Sequence, residues 1–223
     1  MHPVVAIDGP SGAGKGTIAR AVAGELGWRY VDTGAMYRAV AWEARRRGLS
    51  LEERAEDGVA AVATQAEIDL QPDRVVINGC DVTGAIRTPE IDEAAARVAR
   101  LPQVRKALVA RQQAYAAAGP VVMEGRDIGT VVFPRAAVKI YLDATPAARA
   151  ARRSSDAAHD LSRAGAIDTV AEALRERDRL DRTRDASPLR KAPDATVVDT
   201  TSLPVATVVE QVLGIVRDRL ETR

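Results

Sequence analysis

Hydrophobic positions along this chain follow two alternating rhythms. Val4–Ile7, Trp28–Val31, Val121–Met123, Val138–Leu142 and Ala195–Val198 are short apolar runs rich in β-branched residues, as expected of strands buried on both faces. Between them, apolar residues recur at helical spacing over Thr17–Leu26, Ala35–Arg47, Glu52–Gln65, Pro89–Arg100, Pro102–Ala118, Thr145–Arg153, Val170–Arg184 and Pro204–Leu220. Pro89 and Pro102 open their helices, where a missing N–H leaves no bond unmade. Strand and helix in alternation predict an α/β fold with a parallel sheet of about five strands flanked by helices. One region breaks the rhythm. Ala66–Leu70, Arg74–Asn78 and Asp81–Ile86 are short alternating segments separated by the turn signals Pro72-Asp73 and Asn78-Gly79. They predict a small antiparallel sheet inserted into a single domain, residues 1–223. The small and polar stretch Ser154–Ala166 reads as a mobile loop.

Gly9-Pro10-Ser11-Gly12-Ala13-Gly14-Lys15 joins the first strand to the first helix. Strand, glycine-rich loop and helix are the context that a phosphate-binding loop requires. Glycines let backbone N–H groups converge on phosphate oxygens, and the helix N-terminus adds partial positive charge. Lys15 is spaced to meet the β- and γ-phosphates, so Gly9, Pro10, Ser11, Gly12, Ala13, Gly14, Lys15, Gly16 and Thr17 are the candidate ATP-binding residues. Gly16 stands where a hydroxyl residue usually follows the lysine, and the hydroxyl comes one place later, at Thr17. This Gly-Lys-Gly-Thr form is closer to nucleoside monophosphate kinases than to GTPases or motor ATPases.

Composition narrows the class of partner. The chain is 46% hydrophobic and 3% aromatic, so Val, Ala, Leu and Ile build its core. A formal net charge of +1 gives no global basic field, which argues against a general nucleic-acid binder. Cys80 is the only cysteine, which excludes an intrachain disulfide and suits a reducing compartment. The chain enters its first strand without a charged leader, and no apolar run approaches the roughly 20 residues that cross a bilayer. A soluble, cytoplasmic monomer is expected.

Charged residues cluster at the predicted carboxyl ends of the strands, where ligands of open α/β sheets lie. Thr33, Tyr37 and Arg38 stand at the entrance of the second helix, capped by Asp32-Thr33-Gly34. Taken alone they fit an ordinary N-cap and amphipathic helix as well as an anion site. Glu124-Gly125-Arg126-Asp127 ends the third strand, and Arg177, Asp181 and Arg184 recur at i, i+4 and i+7 along one helix face. A solvated turn and a salt-bridged surface helix are the plain readings of these two stretches. With the phosphate loop upstream they gain a common purpose. Arg38, Arg105, Arg126, Arg152, Arg177 and Arg184 are the candidate ligand-facing arginines. Transfer between two phosphate anions must overcome repulsion of about 4 kcal/mol per pair of charges at 4 Å and an effective dielectric of 20. Guanidinium forks neutralise that repulsion and align phosphate oxygens. No residue stands out as a catalytic base, as suits an acceptor whose oxygens are already ionised near neutral pH.

Together Ile7–Thr17, Asp32–Arg38, Thr83–Thr88, Glu124–Pro134, Lys139–Ala144 and Arg177–Leu189 make the chain resemble the bacterial cytidylate kinase family of P-loop nucleoside monophosphate kinases, over nearly its whole length. The resemblance implies ATP as donor, Mg2+ as cofactor and CMP or dCMP as acceptor. It implies a monophosphate-binding region at about 34–118 and a lid at about 149–166. By the same resemblance Thr33, Arg38, Arg126 and Arg184 clamp the acceptor phosphate, and Arg177 with Asp181 holds the ribose. Arg105 and Asp127 read the base, and Tyr37 packs along the nucleotide. Arg149, Arg152 and Arg153 begin the lid, and Lys15, Arg126, Arg152 and Arg184 are the catalytic set. An Asp at a base-reading position suits cytosine, which presents an N4 amino donor where uracil has an acceptor. Thr17 and, through water, Glu124 are the candidate Mg2+ residues. Ala96 falls where some relatives carry a base-contacting Ser, which implies looser discrimination against UMP. A broader pyrimidine kinase, another small-molecule P-loop kinase and a non-catalytic nucleotide switch are the alternatives at this point.

Overall fold

The computed structural model describes residues 2–155 and 167–221. Five parallel strands form the main sheet: β1 (Val4–Asp8), β2 (Arg29–Asp32), β6 (Val121–Gly125), β7 (Val138–Asp143) and β8 (Thr196–Asp199), in the order β2-β6-β1-β7-β8. The connecting helices are α1 (Lys15–Leu26), α2 (Thr33–Arg46), α3 (Glu56–Gln65), α4 (Pro89–Val98), α5 (Pro102–Ala118), α6 (Pro146–Ser154), α7 (Ile167–Thr183) and α8 (Val205–Glu221). The five-stranded parallel sheet flanked by helices that the two rhythms predict is present, and β1 lies at its centre.

Strand alternation divides the core. Val4 and Ala6 of β1 and Val121 and Met123 of β6 face a large cluster built with α2–α5 and the insert. Val5, Ile7, Val122 and the β7 residues Val138, Ile140 and Leu142 face the opposite cluster, against α1 and α8. Register brings Asp8 opposite Gly125, and Asp32 opposite Glu124, so three strand ends meet at one edge. The helix that follows β2 begins at once, because the Asp32 carboxylate accepts the Ala35 N–H at 2.9 Å. Asp32 is therefore the cap and Thr33 is already helical.

The insert is a three-stranded antiparallel sheet of β3 (Ile68–Gln71), β4 (Arg74–Ile77) and β5 (Cys80–Asp81). Asn78 and Gly79 both adopt positive φ, as a tight hairpin turn requires. The third predicted strand, Asp81–Ile86, does not form beyond Asp81. The Asp81 carboxylate accepts the Thr83 N–H at 3.0 Å and its hydroxyl at 2.7 Å, folding the chain into a turn. The predicted helix Glu52–Gln65 is also split, with a separate 3-10 turn at Glu53–Ala55. An unpredicted π-helical turn, Ile128–Val132, follows β6 after Arg126 and Asp127. Of the predicted loop at 154–166, residues 156–166 lie outside the described residues.

Candidate active site

The loop after β1 takes its shape from contacts that leave no room for side chains. A Cβ on Gly9 would lie 2.1 Å from the Leu142 carbonyl oxygen, with φ at +152°. Gly14 caps α1 at φ 87°, outside the range comfortable for other residues. The Gly16 position is explained by its neighbour. A Cβ there would stand 2.9 Å from Glu124 Oε1, so the residue after Lys15 is kept bare for the carboxylate at the end of β6. Glu124 is buried, its carboxyl pushed up mainly by burial and also by Asp32, and it accepts the Tyr30 hydroxyl at 3.1 Å.

A cavity of about 810 Å³ opens over the loop and the strand ends. Every candidate ATP-, acceptor- and Mg2+-binding residue lines it except Gly9 and Pro10, the first two residues of the loop. Lys15 is buried and donates from Nζ to the Pro10 carbonyl at 2.8 Å. Burial, then the neighbouring Arg126, lowers its pKa to about 7, against the opposing pull of Glu124, Asp181 and Asp8.

Two carboxylates organise the arginines. Asp181 accepts Arg126 Nε at 2.8 Å, with Arg184 at 3.6 Å and Arg177 at 3.9 Å. Asp127 pairs with Arg105, and Arg184 stands 3.8 Å from its other oxygen. The Arg105 guanidinium lies 5.6 Å from the Tyr37 ring centroid, so Tyr37 is stacked into the same group. Arg38 pairs with Asp32 at 2.9 Å. Buried nitrogens on Arg38, Arg105, Arg177 and Arg184 find no hydrogen-bond acceptor among the described residues. Buried donors of that kind cost stability unless a ligand supplies acceptors. The Thr33 hydroxyl, predicted to meet the acceptor phosphate, donates to the Glu124 carbonyl at 2.7 Å and ties α2 to β6.

Three placements differ from the sequence reading. Arg149, expected in the lid, is buried behind the loop, donating to the Ser11 carbonyl at 3.1 Å and pairing with Asp178 at 2.5 Å. Arg184 lies one residue beyond α7, with Nε on the Ser187 carbonyl, rather than on a continuous helix face. Ala96 is buried within α4, and Ala95 and Ala99 line the cavity instead. Arg152 does line the cavity, on the loop side, with its guanidinium on the Thr200 hydroxyl at 2.9 Å and on the Thr200 carbonyl. Residues missed by sequence reasoning are Arg87 and Thr200 on the wall, and Asp8 and Asp178 beneath it. Arg87 lies in the Thr83–Thr88 motif, and Asp8 directly precedes the glycine loop, so position offered a signal in both cases.

A glycine-rich loop after the central strand of a parallel sheet, with a buried lysine at the start of the following helix and a second cluster of guanidiniums across the same cavity, defines a P-loop nucleotide kinase fold. The sequence matches the cytidylate kinase family over residues 5–218. It is 48% identical to a cytidylate kinase of Solibacter usitatus, across 97% of this chain and 93% of that protein. It is 47% identical to one from Pelotomaculum thermopropionicum, across 95% of each chain, and 44% identical to one from Geobacillus kaustophilus, across 97% of each. The chain belongs to the cytidylate kinase family.

Proposed function

We propose that this protein transfers the γ-phosphoryl group of ATP to CMP or dCMP, giving ADP and CDP or dCDP. The observation that carries the reading is the Asp127–Arg105 pair, buried at the cavity wall and linked through Arg184 to Asp181, which also holds Arg126. A carboxylate there accepts the cytosine N4 amino group and opposes the uracil O4. Arg38, Arg126 and Arg184 hold the acceptor phosphate, Arg177 and Asp181 the ribose, and Tyr37 the face of the nucleotide. Lys15 and the loop amides hold the donor phosphates in line with the acceptor oxygen. The acceptor phosphate is already ionised near neutral pH, so no base is required. Residues 34–118 form the acceptor region, and Arg152 stands beside the loop, held on Thr200, whose hydroxyl donates to the Ala13 carbonyl.

Glu124 and Thr17 offer hard oxygen donors beside the loop, which suits Mg2+, a cation that takes one or two protein oxygens along with phosphates and waters. When bound, Mg2+ neutralises charge on the transferring phosphates. Glu124→Gln should raise the Mg2+ concentration for half-maximal turnover, and an unchanged requirement removes Glu124 from that role. ADP formation with ATP and Mg2+, measured against CMP, dCMP, UMP and AMP, tests the function. Turnover with CMP and dCMP well above UMP is expected. Equal CMP and UMP rates overturn the role of Asp127, and the absence of acceptor-dependent turnover overturns the reaction.

A further inference from the structure

We propose that Asp8 is the positioning residue that fixes Asp127 for base recognition, acting from the foot of the phosphate loop. The inference rests on the reading of Asp127 given above. Asp8 is the last residue of β1, and the parity of that strand turns its side chain to the face occupied by Val4 and Ala6. There its two carboxylate oxygens accept the N–H groups of Ile128 and Gly129, each at 2.8 Å. These are the first two amides after Asp127. In the same peptide as the Ile128 N–H, the Asp127 carbonyl accepts the Val131 and Val132 N–H groups at 2.8 and 3.2 Å. The peptide that follows Asp127 is therefore held through both its N–H and its C=O, and the Asp127 side chain is gripped by Arg105 at the cavity wall.

A carboxylate offers each of these adjacent amides its own oxygen in a charge-assisted bond, whereas the single amide oxygen of Asn would have to be shared between them. Asp8 is 4% exposed, and burying a charge is costly unless its bonds are made. Burial and the facing Asp127 raise its pKa to about 6, while the two amides and Lys15 oppose that rise. The turn it anchors has little slack. A Cβ on Gly129 would lie 3.3 Å from Asp8 Oδ2 and 3.2 Å from the Lys139 side chain. Gly125, just before Arg126, is equally confined, since a Cβ there would meet Ile128 and the Thr33 hydroxyl at 2.7 Å. One carboxylate thus ties the strand that carries the donor loop to the peptide that carries the base reader.

The test is Asp8→Asn, which keeps volume and one acceptor, with CMP and ADP binding measured by titration calorimetry. The CMP dissociation constant should rise by at least about tenfold, since misplacement near 1 Å can cost up to a hundredfold. The ratio of kcat/KM for CMP over UMP should fall with it, while ADP affinity stays within about threefold. A parallel loss of CMP and ADP affinity, or unchanged CMP affinity and base preference, overturns the proposal. Asp127→Asn separates this from the underlying reading. If Asp127→Asn leaves base preference intact, the base-reading role fails; if it abolishes preference and Asp8→Asn does not, the role of Asp8 alone fails. Should Asp8→Asn not fold, amide exchange in the unaltered enzyme decides. The Ile128 and Gly129 amides should be protected without nucleotide, and exchange at the rate of an open chain until CMP binds overturns the proposal.

Discussion

Lys15 is a cation kept where its charge is poorly stabilised until phosphate arrives. In the protein alone its ammonium has one carbonyl partner, is buried, and is repelled by Arg126, so its pKa lies near 7 rather than 10.5. The sign follows from linkage: phosphate favours the charged form, so nucleotide binding above pH 7 must take up a proton. ADP binding at pH 8, where the nucleotide is fully ionised, should take up most of one proton, and this uptake should fade toward pH 6. Calorimetry in buffers of different ionisation enthalpy reads the uptake directly. Lys15→Met should abolish it, and buffer-independent heats for the unaltered enzyme at pH 8 would show that Lys15 is charged beforehand. Glu43 offers a contrast away from the site. Hydrogen bonds from Arg46 and Arg47 hold its carboxyl at about 2, so its contribution to stability is present above its unfolded value and is lost as pH falls through 2.

The phosphate loop is an element whose shape is held from outside itself. Arg149 of α6 donates to the Ser11 carbonyl, Asp178 of α7 accepts the Ser11 N–H at 3.2 Å, and the two side chains pair with each other. Each is 7% exposed, so removing one leaves the other charge buried and unpaired. Asp178→Asn should lower unfolding stability by about 3–5 kcal/mol in urea titrations. It should also weaken ADP binding by about tenfold while leaving CMP binding nearly untouched. Equal losses for both ligands would mean that the brace supports the whole fold and not the loop. Sequence pattern could not reach this brace, since Ser11 and Asp178 are 167 positions apart and neither stretch marks the other. The loop itself was legible because its spacing, strand and helix are consecutive. The arginine cluster was legible only as far as Arg177, Asp181, Arg126 and Asp127 sit in short motifs. Beyond that limit lay the π-helical turn at Ile128–Val132, which follows no strand or helix period. The truncation of β5 was hidden too, because side-chain bonds from Asp81 outcompeted an alternating pattern that favoured a strand.

Across the whole molecule, charge is segregated rather than scarce. The chain carries a formal +1, yet ten basic side chains and only four carboxylates line the cavity. The remainder of the chain is therefore slightly acidic, and the excess of positive charge lies on the walls of the recess. Low-dielectric walls focus such a field on small anions that can enter, while surface charges more than about 8–10 Å apart are screened at physiological salt. A polyanion too wide for the recess meets a surface of the wrong sign. CMP phosphorylation should thus be insensitive to duplex DNA or heparin added at micromolar concentration. The KM for CMP should still rise several-fold between 50 and 300 mM KCl, because long-range attraction to the mouth of the recess is screened. Among the described residues no helix is long and apolar enough to cross a membrane, and the large exposed hydrophobic residues are Val131, Val197, Leu203 and Val205. Leu203 and Val205 also line the cavity. Inhibition by DNA or heparin that competes with CMP would mean the positive field reaches beyond the recess, and charge segregation would then lose its place in selecting the acceptor.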